Sequence, residues 1–187
     1  MRSAELARGR VFILRLEDGE VLRETIESFC RDNGIARALV HVTGAVDAGS
    51  RMVSGPRVPV GDRVEPTVIE LEHQCEVTGH GTVFPDSDGN PLLHLHGSAG
   101  REGFCATGDF GPGMVSWLVM EVLIEELVGD GPVREESDPR IGGKLLEVRR
   151  WHPRRYSGRR STTLTASPSP NTGTYRAPSS PRASSSS

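Results

Sequence analysis

The spacing of apolar positions between Arg10 and Val148 changes several times, and each change marks an element. Arg10–Leu16 is dense in branched and aromatic side chains and ends at Asp18-Gly19, which predicts a strand and a turn. From Glu20 to Asn33, Leu22, Ile26, Phe29 and Cys30 recur at i, i+4, i+7 and i+8, with Arg23, Glu24, Glu27 and Asp32 off the stripe. That is one face of an amphipathic helix, and Asn33-Gly34 supplies its left-handed stop.

Strands follow. Ala36–Ala45 reads as one, interrupted at Gly44, where another backbone can come close. Met52–Val64 begins as a short strand and becomes a loop at Gly55-Pro56, Pro59 and Gly61-Asp62. Thr67–Glu72 alternates as a half-buried strand does, and Cys75–Phe84 is a further strand loosened by Gly79 and Gly81 on either side of His80. Pro85–Pro91 has the residues of a hairpin loop, Leu92–Ser98 continues as a strand, Ala99–Gly103 turns, and Phe104–Phe110 returns. Met114–Leu127 predicts one long strand, with a helix as the alternative, Asp130-Gly-Pro132 ends it, and Lys144–Val148 closes the fold as a last short strand.

One helix against many strands joined by short loops predicts an α+β fold, a largely antiparallel sheet with one main amphipathic helix over residues 8–150. Residues 151–187 turn to Ser, Thr, Pro, Gly and Arg with almost no large apolar side chains, and a disordered tail is expected there. No apolar run reaches the roughly 18 residues of a membrane span, and the start of the chain lacks the apolar core of a signal peptide. Cys30, Cys75 and Cys105 are odd in number and have no C-x-x-C spacing, which fits small thiols in a reducing cytoplasm.

Charge divides the chain. Through Arg150 there are 25 carboxylates against 16 Lys and Arg, a balance of −9, whereas Trp151–Ser187 carries six arginines and no acid. Phosphate contacts need clustered cations, so the acidic domain is a poor DNA surface and only the tail has the right sign.

The chemistry lies on one strand. Residues at i and i+2 share a face, so His94 and His96 project together, their Cα atoms roughly 6–7 Å apart. Imidazole is the commonest ligand for zinc and related ions, and a catalytic zinc takes about three protein ligands. Leu93 and Leu95 face the other way as core. Asp109 lies on the strand returning through the Gly100–Gly103 turn. In an antiparallel pair it falls beyond the residue opposite His94, so reaching the histidines takes a bulge or a symmetry-related chain. Glu121 is the acid in the apolar middle of the Met114–Leu127 strand, ahead of Glu125 and Glu126 at its end, and either supports a cation or a ligating imidazole or marks an exposed strand face. His41, His73 and His80 read as solvent-facing or core histidines. No nucleophile elbow, Walker loop or dinucleotide fingerprint is present.

These motifs resemble, in order, those of the PPC domain (plant and prokaryote conserved, also DUF296 or PD1-like). The resembling segments are Arg15–Gly19 with the helix, Gly44-Ala-Val, Cys75–Gly79, Leu93–His96, Gly108-Asp109 with Gly113 and Glu121, and Gly142–Leu146. The resemblance covers Arg10 to Val148 and implies an antiparallel α+β fold, a homotrimer, and zinc or another divalent transition metal on His94, His96 and Asp109. Asp109 stands where the family carries a histidine, and Thr107 where it carries a glycine. Prokaryotic members are commonly labelled DNA-binding. Here Arg154, Arg155, Arg159 and Arg160 of the tail are a faint echo of the AT-hook segments of plant relatives. The expected role is thus regulatory or in association with partners. The alternative is a small metal-dependent enzyme, hydrolytic or cupin-like, since His94, His96 and Glu102 are similar to the first cupin motif with spacings one or two residues off.

Overall fold

The computed structural model describes residues 1–55, 66–136 and 144–148, and the basic tail and its arginines lie outside them. Among these described residues, ten strands and one helix run in the order β1 (Ala7–Glu17), α1 (Leu22–Asp32), β2 (Ala38–Val46), β3 (Arg51–Ser54), β4 (Thr67–Glu70), β5 (Cys75–Pro85), β6 (Pro91–Arg101), β7 (Phe104–Asp109), β8 (Ser116–Val128), β9 (Pro132–Glu136) and β10 (Lys144–Val148). Eight of them form one sheet, in the order β1-β8-β2-β5-β6-β7-β3-β4, and its neighbours pair antiparallel. The α+β reading holds, and the long apolar run is the strand β8.

Helix α1 buries the expected stripe: Leu22, Ile26 and Cys30 share a buried cluster with Val40, Val42, Leu93, Leu95, Val122 and Ile124 from the sheet, and Phe29 packs at its edge. Each fully buried aliphatic side chain contributes roughly 1.5–3 kcal/mol. The helix begins without a side-chain cap. Instead the sheet anchors it, for the Leu22 amide donates to the Met114 carbonyl (3.0 Å) and the Ser116 amide to that of Glu20 (2.9 Å). It ends as predicted, with Gly34 at φ +65° and the Ile35 amide returning to the Cys30 carbonyl (2.8 Å). No helix among the described residues is long and apolar enough to cross a membrane.

Two expectations change. Lys144–Val148 does not close the main sheet: it pairs with β9 in a separate two-stranded ribbon. Pro132, expected to end the long strand, instead opens β9, as proline can at a first position. Of the three thiols, Cys30 and Cys75 are buried and Cys105 is exposed.

Candidate metal centre

His94 and His96 both face away from the core while Leu93 and Leu95 are fully buried, so the alternation of β6 holds through the site. The imidazole rings stand 4.8 Å apart between centroids, inclined at 57°. Asp109 joins them without a bulge or a second chain. β6 continues to Arg101 and turns through Glu102 and Gly103 (φ +47° and +85°), so Asp109 pairs directly with His96. The turn anticipated over five residues takes two, and this brings the carboxylate back along β7 to the histidines. Next to the site, the paired Ser98 and Thr107 hydroxyls share a hydrogen bond of 2.9 Å that ties β6 to β7.

One donor atom from each of His94, His96 and Asp109 lies within 4.8 Å of the others. Asp109 Oδ2 is 3.6 Å from His94 Nδ1, and Oδ1 is buried with no hydrogen-bond partner. Burial, then the nearby Arg134 charge, push the His94 pKa below its ordinary value, against the pull of Asp109. A neutral imidazole has a lone pair free for a cation, and an orphaned carboxylate oxygen has lost its water without gaining a donor. Two imidazoles and a carboxylate are a donor set that zinc accepts, with a position left for water or another ligand.

Glycine lets the strands approach. A Cβ at Gly81 would sit 2.1 Å from the His94 carbonyl oxygen, and one at Gly108 2.4 Å from that of Val53. Rather than loosening its strand, Gly81 marks a close pass of the β6 backbone.

Glu121 does not support this centre. It is exposed on β8, opposite Arg15 and Thr43, and β2 and β5 stand between β8 and β6 in the sheet. Glu102 sits in the two-residue turn with its side chain 81 % exposed and ion-paired to Arg101, so the cupin-like third ligand is absent from the site. His41 and His80 are exposed on the open face, and the registers His41–His80, His80–His96 and His96–Asp109 set the four residues in one row across the sheet. Sequence reasoning missed Arg134. It is buried at the site's edge, its guanidinium 5.8 Å from the Phe84 ring centre and one terminal nitrogen donating to Thr82 Oγ1 (2.8 Å).

A single helix on an eight-stranded antiparallel sheet, with a His-x-His strand paired to a carboxylate strand, defines a small α+β domain with a three-donor cluster. The chain belongs to the Plants and Prokaryotes Conserved (PCC) domain family, whose model matches residues 3–128. Among solved structures it is similar to a plant- and prokaryote-conserved (PPC) protein of Pyrococcus horikoshii, 27 % identical with TM-score 0.66, covering 81 % of this chain and all of that one (100 %). It is also similar to a metal-containing protein of Archaeoglobus fulgidus, 29 % identical with TM-score 0.65, covering 78 % and 98 %. A candidate DNA-binding protein of Bacteroides thetaiotaomicron, 16 % identical with TM-score 0.59 over 76 % and 97 %, shares the fold. No curated protein matches the chain in sequence.

Proposed function

We propose that this PCC-family chain is a metal-holding interaction module, with zinc or another divalent transition metal on His94, His96 and Asp109. The carrying observation is the convergence of three donor atoms within 4.8 Å around a buried Asp109 oxygen that has no partner. The description of the similar Archaeoglobus protein as metal-containing supports the reading. A bound ion would take the two imidazole lone pairs and the carboxylate charge, tie β6 to β7, and keep one position for a further ligand.

The module acts as a homotrimer and in association with partners. Its open sheet face supports self-association, since Val11 and Ile13 are 55 % and 73 % exposed there. DNA association, which the Bacteroides protein's description suggests for that protein, belongs in this chain to Arg154, Arg155, Arg159 and Arg160 rather than to the acidic domain.

Elemental analysis of protein purified without chelator tests the metal. Near-stoichiometric metal that is lost in His94→Ala supports the assignment, and wild-type protein free of metal after exposure to zinc rejects it. Light scattering checks the trimer. DNA binding that weakens with salt and vanishes on deleting residues 153–187 assigns it to the tail, and binding unchanged by the deletion rejects that assignment.

A further inference from the structure

Beside the three donors, on the same open face, lies a cation that the metal reading does not use. Arg134 is 5 % exposed, deep for a guanidinium. Among the described residues its one hydrogen-bond acceptor is the neutral Thr82 hydroxyl, and Thr82 is the strand partner of His94. Its Nε is buried without an acceptor, and among the described residues no carboxylate lies within ion-pair distance of it. Arg23 of α1 adds a second buried, unpartnered Nε, its charge engaged with Glu27 at 3.5 Å. These groups act on one another: burial and Arg23 lower the Arg134 pKa while Asp109 raises it, and both arginines lower that of His94. A buried guanidinium with no carboxylate at ion-pair distance is costly, and its planar fork matches an oxyanion.

The charges give the sign of the missing group. Arg23 and Arg134 balance Glu27 and Asp109, so a divalent ion leaves the site with two uncompensated positive charges. Arg134 also lies beyond the family match at residues 3–128.

We infer that this chain binds a small oxyanion, phosphate or carboxylate, at the His94–His96–Asp109 centre, one oxygen on the metal's open position and another on the Arg134 guanidinium. The inference rests on the metal reading for the first contact and on Arg134 for the second. Thr82 and Phe84 fix the guanidinium plane, and the ligand supplies the directly paired negative charge that Arg134 does not find among the described residues.

The test is calorimetric titration of the full chain, loaded with zinc, using inorganic phosphate and, separately, acetate. Metal content is measured on the same samples. Saturable binding of either anion is expected, weakened at least about tenfold in Arg134→Gln with zinc content unchanged. The tighter anion tells a phosphoryl from a carboxylate source. Binding equal in wild type and Arg134→Gln, or no binding of either anion to zinc-loaded protein, overturns the inference. Should Arg134→Gln fail to fold, Arg134→Lys serves: it keeps the charge without the fork, and wild-type affinity in it counts against the inference. A zinc content of zero overturns the metal reading alone, because Arg134-dependent phosphate binding by that metal-free protein would still support the arginine's role.

Discussion

The Glu27 carboxylate accepts a 2.9 Å hydrogen bond from the backbone amide of Leu93, one residue before the first histidine of the site. β7 stops at Asp109, so the β6 amides beyond His96 have no strand partner on that side, and a helix side chain takes the place of one. Glu27→Ala should therefore cost about 1–3 kcal/mol in chemical denaturation, as a buried amide loses its acceptor, while Glu27→Gln recovers much of the loss. Equal stability of Glu27→Ala and wild type would show that this contact does not hold β6.

Asp109→Asn keeps the shape of the side chain and removes its charge. Retained zinc, measured after dialysis against a weak chelator, should fall at least about tenfold, and Asp109→His should restore it. Wild-type retention in the asparagine variant would exclude Asp109 as a ligand.

Gly81→Ala places a methyl group 2.1 Å from the His94 carbonyl oxygen and 2.6 Å from the Leu95 Cα, both backbone atoms. The two strands must part, costing roughly 1–3 kcal/mol by overpacking. Because the displaced segment bears His94, metal retention should fall together with the denaturation midpoint. A stable variant with normal metal content would contradict the close approach.

Arg10 grips Glu126 with two bonds, Nε–Oε2 at 2.7 Å and Nη2–Oε1 at 2.9 Å, and holds its pKa down from 4.5 to about 2. The folded carboxylate thus releases its proton more readily than the unfolded one. The stabilisation is complete above about 4.5 and is lost as the pH falls towards 2. Melting temperatures between these values should drop less steeply in Arg10→Ala than in wild type, and parallel curves would mean that the pair contributes nothing.

Much of this was legible in the residues, and for local reasons. The helix was written in the recurrence of Leu22, Ile26 and Cys30, and the shared face of His94 and His96 in the two-residue period of a strand. What failed was non-local. Glu121 looked like a carboxylate in need of a partner because β8 is apolar around it, yet the strand order places it on an exposed face away from β6. The partner of Asp109 depended on how many residues the turn consumes, and a run containing Gly100 and Gly103 allows several answers. Arg134 carried no signal at all, since its burial comes from β9 packing near Thr82 and Phe84, a contact no spacing encodes.

The two-residue turn at Glu102 and Gly103 also limits how this chain can change in length. One codon gained or lost there would slide β7 by one step against β6, and a carboxylate now beside two imidazoles would point through the sheet towards the helix side. Related chains that keep the three donors should therefore carry insertions elsewhere, and any that lengthen this hairpin should do so in pairs of residues.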